Sequence, residues 1–251
     1  MSGHSKWSTI KHKKGAADAK RGKLFSKLTR AIIVAARDGG PDPAANLALQ
    51  NAVEKARAAS MPKDNIDRAI AKGSGADADA DAFETIVYEG YGPEGVAVIV
   101  EALTDNRNRT AADVRHLFAK NGGNLGATGA VAWQFDRRGV VVVSADGVDD
   151  EELLLVAADG GADDIELDGD VFQVTSAPES LSSVRAAIEA AGFSVDSAEL
   201  QLVPKTTVAV EDEGKARQVM RLIDELEDND DVQDVYANFD IPEQVLEAVA
   251  G

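Results

Sequence analysis

Apolar residues recur at three- and four-residue intervals as far as Gly73 and at strand-like spacing from Glu84 onward, while residues 74–81 between them show no apolar periodicity. A chain with that switch builds a helical piece and a sheet-containing piece joined by a solvated linker. The first helix is expected over 23–38, carried by Leu24, Leu28, Ala31, Ile32 and Ala35 and stopped by Gly39, Gly40 and Pro41. Asp42 reads as the N-cap of a second helix with Pro43 in its first position, and Ala45, Ala48, Leu49, Ala52, Val53 and Ala56 form its stripe. Pro62 opens a third, with Ile66, Ala69 and Ile70 inward and Gly73 at the left-handed C′ position.

Beyond the linker, strands are expected at 84–88 and 95–103 and a helix at 110–120. Strands at 131–135, 139–144, 164–167, 170–175 and 194–202 follow, interleaved with helices at 150–158 and 179–191. From 139 onward the order is β-α-β-β-α-β, that of the ferredoxin-like plait, with two helices on one face of an antiparallel sheet. The tail, strand 206–210, helix 215–226 and strand 232–239, cannot cover a sheet alone, and neither can the piece at 84–120. Paired, they supply a second plait. The expected fold class is α+β: a three-helix domain followed by two ferredoxin-like α/β plait domains, one inserted in the other. The boundaries are 1–75 for the basic arm and helices, 82–130 plus 205–241 for the discontinuous domain, and 131–204 for the insert.

Charge is distributed as unevenly as periodicity. Residues 1–75 hold fifteen of the 26 Lys and Arg against six acids, a net +9, and the remaining 176 residues carry −27. The whole-chain charge of −18 would argue against a phosphate-bearing partner; the segregation reverses that inference for the N-terminal segment. There is no cysteine, which excludes thiolate metal sites and Cys nucleophiles. The absence of an 18-residue apolar run and of an apolar h-region points away from membrane and export, and the expected compartment is the cytoplasm.

On the first helix Lys20, Lys23, Lys27, Arg30 and Arg37 fall within an arc of about 100°, beside the apolar arc. Upstream, Lys6, Lys11, Lys13 and Lys14 accompany Trp7 and His12 in a Gly- and Ser-containing arm. Cations neutralise phosphates and release counterions, and flat rings offer a face to an unstacked base. The candidate nucleic-acid contacts are therefore Lys6, Trp7, Lys11, His12, Lys13, Lys14, Lys20, Arg21, Lys23, Lys27 and Arg30, with Arg107 and Arg109 at a strand-to-helix turn capped by Asn108. Two plainer readings stand beside this one. The basic face is a solvated helix surface, or it docks on the protein's own acidic domains or those of a second copy.

Other motifs carry less. The glycine-rich run 121–129 follows a helix and precedes a strand, the wrong order for a nucleotide cradle, but suits a mobile loop that touches a macromolecule. Asp77, Asp79 and Asp81 alternate like the opening of a calcium loop, yet Ala82 and Tyr88 occupy the positions of its Gly and Glu. His4, His12 and His116 lack ligand spacing, the acids of 224–234 read as a solvated helix end and turn, and no catalytic motif is present. No metal, cofactor or enzymatic activity is expected.

Taken in order, Gly3-His4-Ser5-Lys6-Trp7-Ser8-Thr9-Ile10-Lys11-His12-Lys13-Lys14, Met61-Pro62-Lys63-Asp64-Asn65-Ile66, Tyr88-Glu89-Gly90-Tyr91-Gly92-Pro93, Thr104-Asp105-Asn106-Arg107-Asn108-Arg109-Thr110 and Gly122-Gly123-Asn124-Leu125-Gly126 resemble the signature segments of the YebC family. The resemblance spans nearly the whole chain. It implies a helical domain followed by two α/β domains. It also implies one of two roles: a bacterial transcriptional regulator that binds DNA, or a ribosome-associated factor that helps translation through proline-rich stretches. The expected function is thus a nucleic-acid-binding regulator of gene expression, with DNA or ribosomal RNA as partner.

Overall fold

The structure is a computed structural model that describes residues 18–75 and 83–250. Its N-terminal part is a hairpin of helices closed by Asn46, followed by a third helix. Helix α1 is Asp18–Gly39, α2 is Leu47–Ala58 and α3 is Lys63–Ser74. The Asn46 amide donates to the carbonyls of Ala35 (2.7 Å) and Gly40 (2.9 Å), while its Oδ1 accepts from Leu49 N at 3.1 Å. One buried side chain therefore ends α1 and caps α2. This corrects the expected cap at Asp42. That carboxylate accepts from Ala44 N (2.9 Å) and shapes a turn, so α2 starts later than the sequence suggests.

Leu28, Ile32, Ile33 and Ala36 of α1 pack with Leu49, Ala52, Val53 and Ala56 of α2, and with Met61, Ile66 and Ala69. The core of these helices is their own. Gly73 is inside α3 rather than at a C′ position, and the reason is packing: a Cβ there would lie 2.2 Å from the Ile33 carbonyl oxygen. Glycine lets α3 cross α1 with its backbone nearly in contact.

The described residues divide into two compact units, one formed by 18–75, 83–132, 208–237 and 241–250, the other by 133–207 and 238–240. In the first, strands β1 (Glu84–Tyr91) and β2 (Ala97–Thr104) form a hairpin that leads into α4 (Arg107–Lys120) and the short β3 (Asn124–Leu125). The second unit holds β4 (Phe135–Ser144), α5 (Asp150–Gly160), β5 (Ala162–Asp168), β6 (Val171–Ser176), α6 (Leu181–Ala190) and β7 (Val195–Pro204). The chain returns to the first unit with β8 (Val208–Ala209), α7 (Glu213–Glu227) and β9 (Val232–Ala237). The chain ends with β10 (Phe239–Asp240) and α8 (Glu243–Ala250).

Each unit has a four-stranded antiparallel sheet, ordered β3-β1-β2-β9 and β5-β6-β4-β7. The second order is that of the ferredoxin-like plait, and the α+β class expected from the sequence is the one the chain adopts. Strand β2 is central, and its residues are buried almost without interruption, which accounts for its continuous apolar run.

Two expected strands differ. The segment 206–210 contributes only the two-residue β8 and is not in either four-stranded sheet; the fourth strand of the first sheet is β3, from the glycine-rich run. Gly90 on β1 makes room for it, since a Cβ there would meet the Phe118 ring at 2.6 Å and the Asn124 carbonyl at 2.7 Å. The strand expected at 131–135 is a 3-10 turn, Ala132–Gln134, and β4 begins at Phe135. The Val131 and Ala132 amides are occupied: both donate to Glu89 Oε2 at 2.8 Å.

Candidate nucleic-acid interface

Helix α1 carries its cations beside its packing face, and that neighbouring face meets the C-terminal end of α7. A helix end leaves carbonyls without intrahelical partners and is the negative pole of the helix dipole. Lys27 Nζ donates to the Glu227 carbonyl, Lys23 Nζ to that of Asp228 at 3.4 Å, and Arg30 Nη1 to that of Asp230 at 2.7 Å. Arg30 also donates to Asp231 Oδ1 at 2.9 Å and stacks 5.7 Å above the Phe83 ring. Burial pushes the Lys27 ammonium pKa down, and Glu227, Asp228, Asp230 and Asp234 only partly oppose it.

Asp231 is the hub. It is 4% exposed, and Oδ2 accepts from Arg109 Nη2 (2.8 Å) and the Thr110 hydroxyl (2.7 Å), with the Thr104 hydroxyl at 3.3 Å. Its own backbone is held as well: its N–H donates to Asn229 Oδ1 at 2.9 Å, and its carbonyl accepts from Leu103 N at 2.8 Å. Burial alone would raise its pKa. The hydrogen bonds from Arg109 and Thr110 and the charges of Arg109 and Arg30 outweigh that and hold the carboxyl below its usual range.

Arg109 is placed by local chemistry. Thr104 Oγ1 accepts from Asn106 N at 2.9 Å, and Asn106 Oδ1 accepts from Arg109 N at 3.1 Å, which makes Asn106, not Asn108, the cap of α4. The helix starts earlier than expected and its first turn holds Arg107, Asn108 and Arg109. Arg109 bridges Asp105 (2.9 Å) and Asp231, while Arg107 is exposed. The cleft here is about 350 Å³ and is lined by Arg30 and Arg109 together with Asp105, Asp113, Asp230 and Asp231. Acids outnumber bases in it.

The structure thus brings together Lys23, Lys27, Arg30 and Arg109, all around the 227–231 turn. Lys20 and Arg21 are in the first turn of α1, where the backbone alone is described. Lys6, Trp7, Lys11, His12, Lys13 and Lys14 lie outside the described residues. Arg37 donates to Asp38 (2.8 Å) and to the Phe83 carbonyl (3.0 Å). Within the acidic stretch 224–234, read from the sequence as a solvated helix end and turn, the carbonyls of Glu227, Asp228 and Asp230 and the Asp231 carboxylate instead receive the cations of α1. The signal available for them was the complementarity of an acidic helix C-terminus with a cationic helix face. The glycine-rich run differs from expectation too: Glu89, 5% exposed, accepts from Gly129 N (2.6 Å) as well as from Val131 and Ala132, and so fastens the loop.

The sequence matches the TACO1/YebC protein N-terminal domain over residues 5–76 and the TACO1/YebC second and third domain over 83–239. The chain belongs to the TACO1/YebC family. It is 60% identical over 251 residues to a "Probable transcriptional regulatory protein" of Rubrobacter xylanophilus, with all of both chains covered. It is 55% identical over 250 residues to one of Syntrophobacter fumaroxidans, again with full coverage of both. Among solved structures it is similar to the conserved hypothetical protein Aq1575 from Aquifex aeolicus, at 49% identity and a TM-score of 0.83 over 91% of this chain and 94% of that one. Among the described residues no helix is long and apolar enough to cross a membrane, and no group of His, Asp and Glu has the geometry to hold a metal ion.

Proposed function

We propose that the protein regulates gene expression by binding nucleic acid through its basic N-terminal segment, from Lys6 to Arg30. The observation that carries this reading is charge segregation: +9 over residues 1–75 on a chain whose remainder is −27. The description of its relatives as probable transcriptional regulatory proteins supports DNA as the partner. Lys11, Lys13, Lys14 and Lys20 supply phosphate contacts, Trp7 and His12 supply stacking faces, and Arg107 extends the positive surface at the start of α4.

Fluorescence anisotropy with a short DNA duplex over a series of salt concentrations tests the reading. Log K falls with log salt at about −0.9 per phosphate neutralised. Reversing the charge of Lys11, Lys13, Lys14 and Lys20 together abolishes binding and leaves melting unchanged. Binding indifferent to salt, or to those four substitutions, would sink the proposal. Crosslinking in cells followed by sequencing of attached DNA and RNA identifies the physiological target, promoter DNA for transcription or ribosomal RNA for translation.

A further inference from the structure

Lys23, Lys27 and Arg30 of α1 do not await a ligand; they already hold one. Three backbone carbonyls, of Glu227, Asp228 and Asp230, and the Asp231 carboxylate present four oxygens to Lys23, Lys27 and Arg30. A row of oxygens carrying partial and full negative charge is also what a nucleic-acid backbone presents to a cationic helix face.

We propose that the 227–231 turn is an internal competitor for nucleic acid: it occupies the cationic stripe of α1, and phosphates bind that stripe only when the turn is displaced. This rests on the nucleic-acid reading above and adds to it a closed, self-masked state. Two further observations favour it. The adjoining cleft carries more acids than bases, so the closed arrangement repels phosphate from Arg30 and Arg109. The buried cluster that α1 shares with α2 and α3 comes from residues 28–69, so those three helices keep their common packing when α1 leaves the turn, at the cost of the burial of Val34.

Displacement by a ligand is a competition between two states, and weakening the closed state raises apparent affinity. Asp231→Asn removes the charge that draws Arg30 and Arg109. Asn229→Ala removes the acceptor of the Asp231 amide at 2.9 Å and loosens the turn without altering any charge. Asp146→Asn, an exposed position in the other unit, controls for the loss of one negative charge.

The test is anisotropy with a short fluorescein-labelled single-stranded RNA and with a short DNA duplex. It is combined with pulsed dipolar spectroscopy between spin labels at Ser26→Cys on α1 and Gln218→Cys on α7, specific because the chain has no cysteine of its own. Circular dichroism confirms that each variant is folded. Asp231→Asn and Asn229→Ala each tighten binding by about fivefold or more, the low end of ordinary coupling between sites. Asp146→Asn does not, and nucleic acid lengthens the distance between labels. Binding with equal affinity in all variants and an unchanged label distance overturns the masking and leaves nucleic-acid binding in place. No binding by any of these proteins to either probe overturns the nucleic-acid reading and the masking with it.

Discussion

Arg30 and Arg109, seventy-nine positions apart in sequence, grip opposite oxygens of Asp231, at 2.9 Å on Oδ1 and 2.8 Å on Oδ2. One carboxylate thus ties the first helix to the start of α4. The carboxylate is nearly buried while both arginines reach solvent, so removing it leaves the enclosed Thr104 and Thr110 hydroxyls without that acceptor and each arginine with only its second partner.

The consequence for stability is a dependence on pH with a definite sign. Asp231 is held below the usual carboxylate range, so its contribution is complete above about pH 5, where the unfolded side chain is ionised, and fades as pH falls through the lower folded value. Urea unfolding at pH 7 should show Asp231→Ala destabilised by about 1–3 kcal/mol, less than for a fully buried pair because Arg30 and Arg109 reach solvent. Below about pH 3 the gap from the parent should narrow. A gap that is the same at both pH values would show that the carboxylate charge is not what Arg30 and Arg109 recognise.

Glu89 offers a second carboxylate with a different set of donors. Burial opposes its ionisation, yet the amides of Gly129, Val131 and Ala132 more than compensate and keep its pKa low. Glu89→Ala orphans three backbone donors and is expected to cost about 2–4 kcal/mol. Amide hydrogen exchange at Gly129, Val131 and Ala132 should accelerate in this variant; unchanged protection there would mean the loop is held by other contacts.

Gly73→Ala should destabilise the protein even though alanine is the better helix former. The added methyl meets the Ile33 carbonyl oxygen at 2.2 Å, and overpacking of this kind costs about 1–3 kcal/mol against a propensity gain of about 1. Thermal melting decides the matter: a rise in Tm would refute the close approach of α3 to α1.

Asn46→Ala tests the junction of α1 and α2. It deletes the α2 cap and both bonds from the side-chain amide to carbonyls at the end of α1, and a loss of about 1–2 kcal/mol is expected. Asn46→Asp, which retains the cap acceptor but not the amide donors, should recover part of that loss. Equal melting of the two variants would assign the whole effect to the amide.

What the sequence made legible was governed by local chemistry. The stripes of Leu28 and Ile32 or of Leu49 and Val53 announce helices because each turn repeats the same requirement, and the strand order of the second unit follows from its alternation of elements. Features fixed across long separations were not legible. Asn124 becomes a strand residue because Gly90 lets it approach; Val131 does not, because Glu89 has taken its amide. Asn106 rather than Asn108 caps α4 because Thr104 orients it. In the candidate interface the cationic face was visible in the spacing of Lys23, Lys27 and Arg30, and docking on the protein's own acidic domains was one reading of it, but which acids it meets was not legible, since those at 224–234 are two hundred residues away and resemble any solvated helix end.

The order of synthesis gives that separation a temporal meaning. Strand β2 pairs with β9 through Ala102 and Val232, so 130 residues must be added after the first is made before the second exists. At cellular elongation rates of about 5–20 residues per second, that is an interval on the order of ten seconds. Throughout it, the nascent chain has α1 but no acidic turn to meet Lys27 and Arg30. Every molecule is born with those cations uncovered, and completing the chain is what closes them.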